Sequence, residues 1–219
     1  MPDLKVIKGG SKTLLIGIPC QDMVHTEFMQ SMINMDKPEG ACYTVVKNTL
    51  IHDARNIIAS NAAKEGFKRL AFFDSDMIIP KNALTKMMAH MDAGCEFVTG
   101  LYVTRRPPKI KPVIYKELWY DFDGEKIDQG ATNYYDYPNG LFQIEAAGFG
   151  CCLVSMDLIN DVGSRYGLPF EHITGMGEDM SFCYKAITLG HKLYCDSTIK
   201  CGHVGTKVYT ESDLHPIAP

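Results

Sequence analysis

Short apolar runs alternate with amphipathic helical segments along the first hundred residues of this chain. Four runs have the length and the β-branched or aromatic content of buried strands: residues 14–19, 43–46, 70–73 and 96–103. The segments between them have helical spacing, and the second and third predicted helices end at Gly66 and Gly94. Strands and helices that alternate in this way predict an α/β domain with a mostly parallel central sheet and helices on both faces.

The second half of the chain has a different pattern. Residues 104–112 are basic and rich in proline, and residues 119–140 are rich in Tyr, Asp, Asn and Gly, which predicts a long loop or lid. Strands return over residues 142–156, and a helix is predicted to run from Glu178 to Gly190. We therefore expect this half to add a small antiparallel portion to the sheet.

Composition argues against a general attraction of the whole protein to polyanions. The 219 residues carry a net charge of -4, which provides no global attraction to nucleic acid or to an anionic membrane. No apolar stretch is long enough to span a bilayer, and the polar N-terminus does not resemble a signal peptide. We expect a cytoplasmic protein with reduced cysteines and no membrane anchor. Its predicted parts are an N-terminal extension (residues 1–12), a domain (13–205) and a polar C-terminal tail (206–219).

An acidic triplet, Asp74-Ser75-Asp76, follows the apolar strand that is predicted over residues 70–73. Open α/β sheets bind ligands at the carboxyl ends of their parallel strands. Two carboxylates this close repel each other unless a cation or hydrogen-bond donors compensate them. Mn²⁺ or Mg²⁺ bridging them to a diphosphate would do so. The alternative is a solvated turn at the strand end.

Two later groups add candidates for chemistry. Glu178 and Asp179 open the predicted helix, where acids favour the helix dipole or provide a general base. His203 follows a last short strand that is predicted over residues 193–196, and it is either a turn residue or a third metal ligand. A zinc site with Cys195 and Cys201 is disfavoured because the spacing contains no CxxC pair.

The basic and aromatic segments allow two interpretations each. Arg105 and Arg106 lie after a predicted strand end, so they either are solvated or hold a diphosphate or a phosphorylated acceptor. Trp119 belongs to a group of aromatic residues that either anchor a loop to the core or stack on a sugar or a base.

The order of the motifs resembles a known family. Arg55-Asn56 on a helix is followed by LAFFDSDMIIP, AAGFGCCLVS, GEDMSFCYKAITLGHKLY and CGHVG. This order and spacing resembles the GT-A glycosyltransferases, especially small family 2-like members of phage and bacterial genomes, over roughly residues 13–205. The resemblance implies one GT-A, Rossmann-like domain, with a nucleotide-binding half (13–103) and an acceptor and catalytic half (104–205).

The resemblance also implies an activity and a set of roles. The enzyme would move a sugar, with inversion, from a nucleotide-sugar such as a UDP-sugar to an acceptor hydroxyl. Asp74, Asp76 and His203 would hold Mn²⁺ or Mg²⁺, and Asp179 would be the base, assisted by Glu178. The donor-binding residues would be Pro19, Arg55, Asn56, Asp74, Ser75, Gly148 and Gly150.

The acceptor and two alternative functions stay open at this stage. A glycan, a small molecule or a 5-hydroxymethylated pyrimidine in phage DNA would contact Arg105, Arg106 and Trp119, but the usual acceptor motif of the family is not evident. A sugar nucleotidyltransferase would need a glycine-rich phosphate loop, and residues 17–24 contain only one glycine. A catalytically inactive nucleotide-sugar-binding module is the other alternative, although all the predicted catalytic and metal residues are present.

Overall fold

The computed structural model describes residues 12–214 of the chain. Residues 1–11 of the predicted N-terminal extension and residues 215–219 of the predicted tail lie outside the described part. The helices are α1 (Thr26–Asn34), α2 (Ile51–Glu65), α3 (Ala83–Asp92), α4 (Met156–Tyr166) and α5 (Glu178–Thr188). The strands are β1 (Leu14–Cys20), β2 (Cys42–Lys47), β3 (Arg69–Phe73), β4 (Met77–Ile78), β5 (Phe97–Leu101), β6 (Ile114–Phe122), β7 (Ile127–Asn133), β8 (Leu141–Ile144), β9 (Ala146–Ala147), β10 (Cys151–Ser155), β11 (Leu193–Lys200), β12 (Gly202–Val204) and β13 (Val208–Tyr209).

The central sheet has the strand order β2-β1-β3-β10-β5-β11-β8. Strands β2, β1, β3, β5 and β11 run in one direction, whereas β10 and β8 run in the other. The prediction of a single α/β domain with a mostly parallel sheet is therefore confirmed. Because β1 and β3 are parallel neighbours, the residues that follow them meet at one edge of the sheet.

Helices cover both faces of this sheet, as predicted. Helices α2, α4 and α5 pack on one face around an aromatic cluster that includes Phe72, Phe149 and Phe182. Helices α1 and α3 pack on the other face, where Phe28 and Met87 share a core with Phe73. Among the described residues, no helix combines the length and the apolar character that crossing a bilayer requires.

The prediction of a loop or lid over residues 119–140 was wrong for residues 119–133, whereas residues 134–140 form no helix or strand. Strands β6 and β7 form a hairpin there, and β9 pairs with β6 to complete a three-stranded ribbon. The turn uses Gly124 at φ 97° and Asp123, whose Oδ1 accepts hydrogen bonds from the backbone amides of Glu125 and Lys126. Asp-Gly between strands is a strong hairpin signal. The hairpin was not predicted because the polar composition of the segment is typical of a loop.

Two further elements differ from the expectations. Helix α4 was not predicted, although Ser155 caps it by accepting a hydrogen bond from the amide of Leu158. The start of the predicted C-terminal tail is structured, because β13 pairs with β12, which in turn pairs with β4. This small sheet places His203, on β12, opposite Met77, on β4.

His191 joins the end of α5 to two other elements, and this contact predicts a pH-dependent stability. Its Nδ1 lies 2.8 Å from Oε2 of Glu96, and its Nε2 lies 2.9 Å from Oδ2 of Asp161. Burial opposes the charged ring, but the two carboxylates outweigh it and raise the pKa of His191. The stabilisation is complete below the unfolded pKa of about 6.5 and is lost as pH rises through the higher folded pKa.

We therefore expect His191→Gln to lower the melting temperature more at pH 6 than at pH 9. Thermal unfolding of both proteins at the two pH values measures the difference. An equal loss at both would contradict the charge-dependent contact.

Candidate active site

A cavity of about 280 Å³ opens at the carboxyl ends of β1 and β3. We call it the strand-end cavity. Its lining includes Pro19, Thr49, Asp74, Ser75, Asp76 and Arg105. The structure thus brings together residues that the sequence predicted from three separate segments. Thr49, just before α2, also lines the cavity but was not predicted as a site residue. Its position in a polar segment that directly precedes a helix could have indicated this role.

Arg55 on α2 is buried, and its guanidinium bridges two acids. Nη2 donates to Oδ1 of Asp74 at 2.9 Å, and Nε donates to Oε1 of Glu178 at 3.2 Å. The guanidinium carbon lies 5.2 Å from the ring centre of Phe72 and 5.5 Å from that of Phe149. With its side chain only 2% exposed, Arg55 sits behind the strand-end cavity instead of lining it.

The charges of this group are set by burial and by each other. Burial opposes the charge of Arg55, but Asp74 and Glu178 outweigh it and raise the pKa of Arg55. Burial also raises the pKa of Asp74, and Arg55 opposes that shift. The net effect is a raised pKa of Asp74, whose side chain is 30% exposed.

Asp76 faces two basic side chains. Its Oδ2 lies 2.6 Å from Nη1 of Arg105 and 3.6 Å from Nε2 of His203. Burial alone would raise the pKa of Asp76, but His203 and Arg105 outweigh burial and lower it. The Nδ1 of His203 donates to the carbonyl oxygen of Val103 at 2.8 Å, so Nε2 is the nitrogen that faces Asp76.

Of the three predicted metal ligands, only Asp76 and His203 are paired with each other. Among residues 12–214, no group of three or more His, Cys, Asp or Glu side chains gathers in a metal-binding arrangement. Asp76 and His203 form a pair, whereas Asp74 is bonded to Arg55. Two ligands about 2.1 Å from one ion are at most about 4.2 Å apart, so the pair at 3.6 Å fits a shared divalent ion. A backbone carbonyl that fixes the imidazole is typical of ligating histidines.

Glu178 and Asp179 lie side by side in the first turn of α5 but differ in environment. Glu178 is bonded to Arg55, while Oδ1 of Asp179 accepts a hydrogen bond from the amide of Met180 at 2.7 Å. Burial, and after it the charge of Glu178, raise the pKa of Asp179 to about 6. Asp179 can therefore change its protonation state near neutral pH, while Glu178 is held by Arg55. Neighbouring carboxyl groups with such different environments are typical of acid and base catalysis.

The predicted glycines and Asn56 make structural contacts. A Cβ on Gly148 would lie 2.1 Å from Oη of Tyr102, so that glycine makes room for the tyrosine. The carbonyl of Gly150 accepts a hydrogen bond from the amide of Asp74. Asn56 is buried, and its Oδ1 accepts a hydrogen bond from the amide of Phe170. The packing role of Tyr102 was not predicted from the sequence. The only signal for it was its position directly after β5.

The two candidates for acceptor contact lie outside the strand-end cavity. Arg106 is exposed in the loop after β5. Trp119 lies on the ribbon, where its ring covers Gly130 and its Nε1 donates to Oδ1 of Asp128 at 3.3 Å. The structure therefore separates Arg106 and Trp119 from Arg105, which does line the cavity.

Comparisons with known proteins support the fold. No protein-family model and no curated protein matches the sequence. A197 from STIV has a similar solved structure, with a TM-score of 0.62 and 17% identity over 94% of this chain and 98% of that chain. TarS 1-349 from S. aureus is also similar, with a TM-score of 0.49 and 14% identity over 85% of this chain and 60% of that chain. The likeness to A197 shows that the two chains share a fold over nearly their whole lengths.

Proposed function

We propose that this protein is a metal-dependent glycosyltransferase that uses a nucleotide-sugar donor, such as a UDP-sugar, and inverts the transferred sugar. One observation carries the proposal. Arg55 ties Asp74, at the strand-end cavity, to Glu178, at the helix start that bears Asp179. These two ion pairs fix the strand-end cavity, where the leaving group would bind, relative to Asp179, whose pKa is about 6.

The strand-end cavity is the proposed donor site. Its position outside the carboxyl ends of β1 and β3 is where open α/β sheets bind nucleotides. Pro19 and Thr49 provide an uncharged wall, and Arg105 provides a cation for the diphosphate. Asp74, which is partly exposed and already neutralised by Arg55, is the acceptor for hydroxyl groups of the nucleotide ribose.

Asp76 and His203 are the proposed protein ligands of a divalent ion. Their 3.6 Å separation and the outward-facing Nε2 of His203 support this assignment. Carboxylate and imidazole together suit Mn²⁺ better than Mg²⁺, which prefers oxygen ligands. When bound, such an ion supplies positive charge that stabilises a leaving diphosphate.

Asp179 is the proposed general base. The oxygen of the acceptor hydroxyl forms a bond to the anomeric carbon while its proton passes to Asp179. The bond from that carbon to the diphosphate oxygen breaks, and the electron pair leaves with the nucleoside diphosphate. Attack from the face opposite the leaving group inverts the anomeric centre. A pKa of about 6 keeps Asp179 ionised at neutral pH, as a base must be.

Donor and metal binding are tested by thermal unfolding. We expect a UDP-sugar with Mn²⁺ at 100 times its dissociation constant to stabilise the protein by about 2.7 kcal/mol, which raises the melting temperature by roughly 5–10 °C. Asp76→Ala should abolish the gain, because it removes the carboxylate that pairs with His203. Asp136→Ala, at an exposed loop position, is the matched control and should retain the gain.

The same samples distinguish the alternatives. A panel of nucleotide-sugars is incubated with and without Mn²⁺, and the release of nucleoside diphosphate is measured. Pyrophosphate release from a nucleoside triphosphate would favour a sugar nucleotidyltransferase instead. Binding with no turnover, not even slow donor hydrolysis, would favour an inactive binding module. No thermal shift with any nucleotide-sugar would contradict the proposal as a whole.

A further inference from the structure

A second cavity, of about 270 Å³, lies between the ribbon and the start of α5. We call it the ribbon cavity. Leu118, Gln129 and Ala131 line it from β6 and β7, and Met176 and Met180 line it from the helix side. It shares no lining residue with the strand-end cavity. The two cavities are therefore separate sites within the described residues.

The lining of the ribbon cavity is uncharged and mostly apolar. As far as the described residues form it, the lining contains no acidic or basic side chain. Leu118 and Met176 are buried, and methionine side chains adapt to the shape of a ligand. A charged group placed here would lose its hydration without gaining an oppositely charged partner, which is strongly unfavourable. The cavity selects for an uncharged group.

One polar atom in the ribbon cavity lacks a partner. The Oε1 of Gln129 is buried and accepts no hydrogen bond within the described residues. Its amide lies against Gly175, where a Cβ would come within 1.9 Å of Nε2, so that glycine permits the close approach. A buried amide oxygen without a donor is costly. Because Oε1 itself has almost no accessible surface, a ligand N–H or O–H group in the cavity would satisfy it once the Gln129 amide turns toward the cavity.

The ribbon cavity adjoins the proposed base. Gly177, which lines the cavity, immediately precedes α5, and a Cβ there would lie 3.1 Å from Oδ1 of Asp179. Asp179 also lies within the electrostatic influence of Arg55 and Asp74. Asp179 is thus close both to the charged group at the donor site and to the uncharged ribbon cavity.

We propose that the ribbon cavity binds the acceptor through an uncharged, largely apolar group that donates one hydrogen bond to Gln129. The inference rests on the proposed function and narrows its acceptor to this chemical class. The reacting hydroxyl then lies beside Asp179, which takes its proton as the oxygen bonds to the anomeric carbon and the nucleoside diphosphate leaves with the electron pair. A volume of about 270 Å³ exceeds the roughly 150 Å³ that holds one benzene ring, so it accommodates a group of about one to two rings.

The first test measures binding without donor or metal. The full chain is labelled with [methyl-¹³C]methionine, and the resonances of Met176 and Met180 are assigned with the variants Met176→Leu and Met180→Leu. Benzyl alcohol, which is uncharged and carries one O–H, is titrated in, with benzyl phosphate as the charged match. We expect saturable shifts of both methyl groups with benzyl alcohol alone. The methyl of Met23, which is 82% exposed, serves as the internal control and should not move.

Two variants connect these shifts to the ribbon cavity. Ala131→Phe fills the cavity and should abolish the shifts. Gln129→Leu changes little in volume and should weaken the affinity about fivefold to tenfold, the effect of one lost hydrogen bond. Gln129→Leu also keeps the test decisive if Ala131→Phe impairs folding. Equal responses to both probes, or shifts that neither variant changes, would overturn the inference.

A second measurement separates this inference from the proposed function. With a donor that passes the thermal-shift test, the wild-type protein should form a glycoside of 4-hydroxybenzyl alcohol, which has one hydroxyl group to donate to Gln129 and a second to react, and Gln129→Leu should reduce its yield at a subsaturating concentration. Donor binding and hydrolysis without any such glycoside would overturn the acceptor assignment and leave the proposed function standing. Failure of donor binding itself would instead count against the proposed function.

Discussion

Replacing Arg55 with methionine should lower the free energy of unfolding by about 3–5 kcal/mol, the cost of leaving a buried ion pair without one partner. The change removes the bonds to Asp74 and Glu178 and the contacts with Phe72 and Phe149. Arg55→Lys should cost less, because it keeps the positive charge. It should still lower the stability, because lysine has no planar guanidinium that can bond to both acids. Urea denaturation of the three proteins measures the differences.

The pH dependence of the same measurement distinguishes lost charge from lost packing. Without Arg55, the two carboxylates are destabilising when ionised and less so when protonated. The Arg55→Met protein should therefore lose less stability at pH 4 than at pH 7. Arg106→Met, at an exposed position, should change stability by no more than about 0.5 kcal/mol. A loss at Arg55 that is independent of pH would mean that packing, not the ion pair, dominates.

Asp179→Asn should lower the rate of sugar transfer by about 10²–10⁴-fold, the usual contribution of a general base. The thermal shift with nucleotide-sugar and metal should persist, because the strand-end cavity is unchanged. In the wild-type protein the rate should rise with pH through about 6, because the base is active only when deprotonated. Initial rates between pH 5 and 8 measure this profile.

The control for this experiment is Asp157→Asn, which changes an exposed acid in the first turn of α4. It makes the same chemical change at a similar helical position, so its rate should match the wild type. If Asp179→Asn retains most of the transfer activity, or if the pH profile is unchanged, another group is the base.

Local patterns predicted most of the sheet, since strand runs and helix spacing are read within about ten residues. The ribbon was missed because Asp123-Gly124 and its neighbours resemble a polar loop unless strand alternation is read on both sides of the turn. Arg55 was assigned to the donor pocket, yet it lies three residues before Ile58 on the buried side of α2. The spacing of Arg55 from Ile58 on the helix could have predicted that Arg55 is buried.

The candidate site was predictable as a set of residues but not as an arrangement. The sequence identified Asp74, Asp76, Asp179 and His203 as chemical groups. Which acid pairs with which base depends on contacts across the fold: Arg55 reaches Glu178 over 123 residues of chain. The different environments of Glu178 and Asp179 follow from that contact, and no local pattern encodes it. The ribbon cavity likewise exists only once the hairpin packs against α5.

Strand β10 also affects the order in which the chain can fold. It inserts between β3 and β5, and Phe72 pairs in register with Cys152, 80 residues later. At a synthesis rate of about 5–20 residues per second, that interval lasts roughly 4–16 s, during which the edge of β3 lacks this partner. We therefore expect that residues 13–103 do not fold as an independent unit. Expressed alone, they would present two unprotected apolar strand edges, which favour aggregation.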